Sequence, residues 1–338
     1  MDVIDGKNVN VEVAGRDFKY YIFDWDDNIL HMPTRIYLEH RGEDGVWRPV
    51  SVSTGTFALV RTDEEHYRMP SEGGRETAFR DFQDAPDAAV ADLAFIRDTR
   101  AALARVKAGA QPGPSFETLR KTLREGRIFA IVTARGHAAS TIREAVKIFI
   151  DEVLTSEERE EMLANLRGYR YCFDKVQAFG TDEQEIDYFL SMCRYHAVTN
   201  PDFRERMVDD EDFGERFAAA SSEQRPELAK EFAIRDFVEH LYRTMGRVGG
   251  VGLRQVAVGF SDDDPGNVKA VSDYVRGELS RRFGACKFVV YDTSDPSLEK
   301  GRKFVISGQM ELDLGICPAY SVGQHRWRGL DRPRHLSI

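Results

Sequence analysis

No stretch of the 338-residue chain approaches the roughly 18 apolar residues that span a bilayer, so a membrane role is not expected. Met1–Lys7 lacks a basic region followed by an apolar run, so no secretory signal is expected and a cytoplasmic location is. Cysteine is scarce. Cys172, Cys193, Cys286 and Cys317 are too far apart for a zinc-binding spacing, and without a secretory signal reduced thiols are expected. Positive charge is in deficit: the net −10 argues against a general nucleic-acid or acidic-membrane binder, yet leaves room for a basic pocket holding one phosphorylated ligand. Nucleotide-binding P-loops, serine nucleophile elbows, HExxH zinc motifs, internal repeats and low-complexity tracts are all missing.

What is present begins with Tyr20-Tyr21-Ile22-Phe23-Asp24-Trp25-Asp26-Asp27-Asn28-Ile29-Leu30. Four bulky β-formers read as a buried strand and run directly into three carboxylates within four positions. Like charges crowded at a strand end repel, unless a cation or a proton shares the site. A hard divalent ion such as Mg²⁺ suits oxygen donors of this kind. Asp24 and Asp26, two apart, point the same way from an extended strand end, while Trp25 faces the other layer. The pattern fits a phosphate-processing site with one nucleophilic and one proton-shuttling aspartate; it equally fits an acidic turn after a core strand.

Further along, Val9–Val13 alternates like an edge strand or arm. Residues 46–60 are β-branched and aromatic and predict a hairpin, 68–86 a loop and 87–107 a helix. Gly and Pro at 108–114 break the chain. A short helix over 115–125, with Gly126 as its cap, leads to Ile128-Phe129-Ala130-Ile131-Val132 and then Thr133-Ala134-Arg135-Gly136-His137. A long helix over 141–154 follows. Thr155 with Glu158, and Thr181 with Gln184, make capping boxes in a set of short helices over 155–222. An amphipathic helix over 226–243 and the glycine-rich 246–252 precede Gln255–Phe260, which runs into Ser261-Asp262-Asp263-Asp264-Pro265-Gly266-Asn267. A helix over 268–283 and a strand over 287–291 complete another βαβ step. The tail carries Arg326, Trp327, Arg328, Arg332, Arg334 and His335, and reads as a solvated basic segment.

Three apolar strands therefore end in polar chemistry: Asp24 and Asp26, then Thr133, then Asp262 and Asp263. In an open parallel sheet, ligands sit at the carboxyl ends of the strands, where these residues would converge.

With those residues in view, the chain resembles the haloacid dehalogenase superfamily of aspartate-nucleophile phosphohydrolases over about 18–31, 115–140 and 225–292. Asp24-Trp25-Asp26-Asp27-Asn28 is similar to its first motif, with Asn28 where the family has Thr or Val. Thr133 matches the second motif and Asp262-Asp263-Asp264-Pro265-Gly266-Asn267 the fourth. The resemblance implies a doubly wound α/β core interrupted by two insertions at the family's cap sites, one mixed α/β and one helical. The expected division is core 1–31, cap 32–114, core 115–154, helical cap 155–224 and core with tail 225–338.

The resemblance also implies a Mg²⁺-dependent phosphatase acting on a small phosphorylated substrate. Asp24 would be the nucleophile and Asp26 the acid and base; Thr133, with Ala134 and Arg135 beside it, would hold the phosphoryl group. Mg²⁺ would be held among Asp24, Asp26, Asp262 and Asp263. Lys230 would be the lysine pairing with nucleophile and phosphate, with Lys175 as the other choice. His137 is read as a helix-entry residue or a substrate contact. A nucleic-acid end phosphatase and a non-catalytic phosphate-binding scaffold stand as rival readings, and the oligomeric state is left open.

Overall fold

A computed structural model describes residues 2–4, 6–174, 178–221, 224–248, 256–295, 298 and 301–307. Its strands, in chain order, are β1 (Asp2–Ile4), β2 (Lys7–Val9), β3 (Phe18–Phe23), β4 (Ile36–Arg41), β5 (Trp47–Val52), β6 (Tyr67–Arg68), β7 (Phe129–Thr133), β8 (Arg194–Ala197), β9 (Val256–Asp262), β10 (Cys286–Asp292) and β11 (Arg302–Ser307).

Six of these form one mixed α/β core sheet in the order β11-β10-β9-β3-β7-β8, parallel throughout except for the edge strand β11. The chain starts at β3 and steps outward through β7 to β8. It then crosses back to β9 on the other side of β3, so the strand order reverses between β3 and β9. Alternation along β3 sends Phe23 to one apolar layer, with Phe129 and Ile131 of β7, and Tyr20 and Ile22 to the other, with Val258 and Phe260 of β9. Helices cover both faces, as the near-continuous apolar strands require. The carboxyl ends of β3 and β9 lie where ligands settle in such sheets.

The expected helical cap over 155–224 is corrected by this topology. Residues 194–197 are β8, the parallel neighbour of β7, and the helices Ser156–Tyr169 and Asp182–Met192 bury Met162, Leu163, Ile186 and Phe189 in the core layer. Their capping boxes, Thr155 with Glu158 and Thr181 with Gln184, are both formed. The segment belongs to the core. β8 escaped the sequence reading because Arg194-Tyr195-His196-Ala197 is short and half polar.

Only part of 32–114 stands apart. β4, β5 and β6 make a small antiparallel sheet over their own apolar cluster of Ile36, Leu38 and Val52, with Phe57, Phe79 and Phe82 against it. The hairpin expected within 46–60 instead pairs β5 with the earlier β4, and Thr54–Val60 is a helix. The Ala94–Lys107 helix buries Phe95, Ile96 and Leu103 in the main core. Near the N-terminus the strand ends at Val9, and Val11–Gly15 is a 3-10 turn. Gly126, at φ +66, closes the Phe116–Arg124 helix. No described helix is long and apolar enough to cross a membrane. Cys172, Cys193 and Cys286 are free thiols. Lys175, the end of the glycine-rich loop and the arginine-rich tail lie outside the described residues.

Candidate active site at the β3–β9 reversal

The buried run Ile22-Phe23 carries β3 through the core and delivers Asp24 at its carboxyl edge. The Asp24 N–H donates to the Ser261 carbonyl at 3.1 Å, so β3 stays paired with β9 to its last residue and Asp24 sits beside Asp262. Both are buried. Lys230 reaches between them from the Arg225–Val248 helix, whose Ala229, Phe232, Ala233 and Phe237 pack on the sheet. Its Nζ lies 2.6 Å from Asp262 Oδ2 and 3.3 Å from Asp24 Oδ1. Burial disfavours the Lys230 charge, but Asp262 and Asp24 outweigh it and raise its proton affinity above the ordinary lysine value. Asp262 is fixed further, its Oδ1 accepting from the Asp264 N–H at 3.0 Å and from Asn267 Nδ2 at 3.1 Å.

Asp26 faces β7 and is held differently. Arg135 donates to it through both Nε (2.8 Å) and Nη2 (2.6 Å), and Thr133 Oγ1 lies 3.3 Å from Asp26 Oδ2. The Arg135 side chain is fully buried, lies over the rings of Phe82 and Phe95, and bonds Thr34 Oγ1 at 2.7 Å. Its Nη1 has no partner among the described residues. The Gly136 N–H donates to the Phe82 carbonyl, locking the loop after β7 to the small lobe. Ala134, by contrast, is exposed, and its carbonyl accepts from Thr199 Oγ1.

His137 is buried, with its ring stacked on Phe95 and Nδ1 2.9 Å from Asp84 Oδ1. Asp84 also accepts from the Ala138 N–H and Thr141 Oγ1, so it caps the Ala139–Val153 helix from outside that helix. The geometry gives His137 the helix-entry role.

Asn28 has a specific use. From full burial its Nδ2 donates to the carbonyls of Asp24 and Ser261 and to Ser261 Oγ, while Thr293 Oγ1 donates to its Oδ1 at 3.0 Å. One amide thus stitches the ends of β3 and β9 to the exit of β10, which neither Thr nor Val could do. The preceding Asp27 sits at φ +54 and is clamped by His31 (2.8 Å) and Thr54 (2.9 Å), which tie the turn to the lobe.

Charge decides whether a divalent cation fits. Asp24 is pushed well above the ordinary carboxylate value: burial is the main cause, Lys230 opposes it, and Asp262, Asp263 and Asp26 add to it. Asp263 is raised to about 7, by burial first and then by Asp262 and Asp27. Burial and mutual repulsion thus favour protons on these carboxylates, and a cation bound beside them would take the protons' place. Among the described residues, no three acidic, His or Cys side chains are drawn into one ion-holding cluster. An ion that keeps several waters and takes few protein oxygens matches this donor set, and that is the habit of Mg²⁺. Asp24, Asp262 or Asp263, and the Asp26 main-chain carbonyl would hold it. The Asp26 carboxylate is taken by Arg135, which leaves its main-chain carbonyl, the atom the resemblance implies, as its donor.

The structure thus brings together Asp24, Asp26, Thr133, Arg135, Lys230 and Asp262, with Asp263 alongside. Sequence reasoning missed Thr34, Thr54, Phe82 and Asp84, which carry no local motif and meet Arg135, Asp27, Arg135 and His137 across segments distant in sequence. Two clefts of about 550 Å³ open elsewhere, one beside the Phe116–Arg124 helix and one on the small lobe, and neither is lined by Asp24. No protein-family model, no curated protein and no solved structure matches the chain.

Proposed function

We propose that the chain is a Mg²⁺-dependent phosphomonoester hydrolase that works through an aspartyl-phosphate on Asp24, in the manner of the haloacid dehalogenase superfamily it resembles. The observation that carries this reading is one side-chain cluster, at the reversal of the sheet, where Asp24 meets Lys230 and Asp262 on one side and Asp26, Thr133 and Arg135 stand on the other.

In this reading an Asp24 carboxylate oxygen attacks phosphorus, the bond from phosphorus to the ester oxygen breaks, and Asp26 protonates the departing oxygen. Water then attacks the same phosphorus and gives its proton to Asp26. The bond to Asp24 breaks and inorganic phosphate leaves. Lys230 fixes the Asp24 carboxylate and neutralises charge as the anions approach. Thr133 and Arg135 hold phosphoryl oxygens, and the guanidinium exchanges Asp26 for the substrate, freeing Asp26 for proton transfer. Mg²⁺, which Asp24, Asp262 or Asp263 and the Asp26 main-chain carbonyl would hold, would supply charge neutralisation.

A second reading, phosphate binding without turnover, draws on the bidentate hold of Arg135 on Asp26, which immobilises the acid and base. Turnover of an aryl phosphate separates the two. The hydrolase should be active with Mg²⁺ and silent after chelation with EDTA; undiminished turnover after thorough chelation would refute the mechanism. A nucleic-acid end phosphatase has less support, since the net charge is −10.

A further inference from the structure

The apolar layer that holds Phe23 packs helices over β3, β7 and β8; among the described residues, none of its buried members comes from β9 or β10. Where that layer stops, a cleft of about 550 Å³ opens, walled by the Phe116–Arg124 helix and floored by β3, β9 and β10. That volume lies within the roughly 300–1,000 Å³ that accommodates a small organic ligand. The floor is aromatic around a bare glycine. Tyr21 of β3 pairs in register with Gly259 of β9, and Tyr291 of β10 with Ser261. Both rings lean over the glycine: where a Cβ at position 259 would stand, Tyr21 Cδ1 lies 3.2 Å away and Tyr291 Cε2 3.4 Å. A glycine inside a strand marks a place where another group can approach the backbone closely.

The helix end of the cleft is polar and incompletely bonded. Ser115 and Ser261 line it, are 4% and 5% exposed, and lie Oγ to Oγ at 3.1 Å. Asn28 Nδ2 donates to Ser261 Oγ at 3.0 Å. Whichever serine donates to the other, the second O–H is left without an acceptor among the described residues. Ser115 also stands at the N-cap of the Phe116–Arg124 helix without capping it. The N–H groups of Glu117 and Thr118, two residues that line the cleft, have no hydrogen-bond partner among the described residues. Donors left unmade are costly, and an acceptor brought in by a ligand completes them. Charge on the wall has the matching sign. Arg120 and Arg124 are held by Glu158, at 2.9 and 3.5 Å, and Glu117 is turned outward and tied to Arg120 at 3.4 Å. Lys121 is held most loosely, 63% exposed with Glu125 3.7 Å away. The positive end of the helix dipole lies at the same place.

We propose that this cleft binds a small aromatic carboxylate, with its planar ring on the Tyr21–Gly259–Tyr291 floor and its anionic group at the helix N-terminus. There the carboxylate accepts from the spare serine hydroxyl and from the Glu117 and Thr118 N–H groups, and Lys121 balances its single charge. Stacking on the tyrosine rings favours a flat ring over an aliphatic one of similar size. Asp24 does not line the cleft, and the inference stands whether or not the chain is a hydrolase.

Calorimetric titration with three matched probes tests the site. Wild-type protein should bind 2-naphthoate saturably at one site. Naphthalene-2-methanol, which lacks the anion, and decalin-2-carboxylate, which lacks the flat ring, should each bind about tenfold more weakly or worse. Ser115→Ala should weaken 2-naphthoate about fivefold or more. Lys121→Glu changes an exposed side chain, so the fold is not at stake; it should weaken 2-naphthoate and leave naphthalene-2-methanol unchanged. Asp24→Asn should bind 2-naphthoate as wild type does. No saturable binding by wild type, equal affinity for the alcohol, or an affinity unmoved by both Ser115→Ala and Lys121→Glu would overturn the site. Loss of 2-naphthoate binding in Asp24→Asn would overturn it as well, by moving the ligand to the Asp24 cluster.

Discussion

The two sides of the crevice hold their aspartates by different means. On the β9 side, Asp24, Asp262 and Lys230 come from the core alone, and one ammonium is shared between two buried carboxylates. On the β7 side, Asp26 is paired with an arginine whose position depends on Thr34 and Phe82 of the small lobe. An ammonium is a compact point charge that neutralises without dictating orientation, whereas a guanidinium fork fixes the plane of its partner. The first arrangement suits a nucleophile that must stay in place, with Lys230 opposing the burial that disfavours its charge. The second suits a group that changes partners when a phosphate arrives, and it gives the lobe a say in when that happens.

Removing the proposed nucleophile tests the β9 side hardest: Asp24→Asn should lower aryl phosphate turnover to background in a steady-state assay. Lys230→Met comes next. It leaves Asp24 and Asp262 buried without their cation, which should cost about 3–5 kcal/mol of stability as well as most activity. A denaturant melt reads the stability loss; an unchanged midpoint would mean that the two carboxylates are not held as drawn.

On the β7 side, Asp26→Asn should reduce kcat by roughly 10²–10⁴-fold while phosphoenzyme still forms, visible as an initial burst of aryl alcohol. Phe82→Ala should act more mildly and through KM, by loosening the face on which Arg135 lies. A Phe82→Ala effect as large as that of Asp26→Asn would contradict a merely positioning role for the lobe.

The smallest expected effect is on stability against pH. Burial is the main cause that lowers His137, His196 and His240 below the ordinary histidine value. Above about pH 6.5 both folded and unfolded chains leave them neutral, so they contribute no slope. As pH falls below that, the unfolded chain binds protons that the folded chain refuses, and stability falls. His31, raised by its bond to Asp27, opposes the trend, but it is half exposed and so counts for less. Asp24 and Asp263, which in the folded chain hold protons to higher pH than in the unfolded one, add stability over the same range. The readable outcome is therefore a difference: from pH 7 to pH 5.5 a His196→Asn variant should gain stability relative to wild type.

The legibility of this molecule follows the same division. β3, β7 and β9 announced themselves because each is a continuous apolar run ending in polar residues, and the capping boxes at Thr155 and Thr181 are local chemistry. The family resemblance points to Lys230, with Lys175 as the other choice, and the structure sets Lys230 between Asp24 and Asp262. What failed was nonlocal. β8 is four residues with an arginine and a histidine, and its membership in the sheet depends on β7 alone beside it. Without it the helices around it read as an insertion instead of core. The contacts of Thr34, Thr54 and Asp84 join segments distant in sequence and leave no periodic trace. Asn28 shows a third case. Its departure from the family pattern was plain in the sequence, but its purpose emerged only once Ser261 and Thr293 stood beside it.

The most direct measurement is chemical trapping of the covalent intermediate. Protein turning over an aryl phosphate with Mg²⁺ is quenched with acid, reduced with borohydride and mapped by mass spectrometry. Reduction of an aspartyl-phosphate at position 24 should convert that residue to homoserine, only when substrate and Mg²⁺ are both supplied, and in Asp26→Asn as well as wild type. Sustained turnover with residue 24 unmodified, or a modification at another carboxylate, would contradict the account.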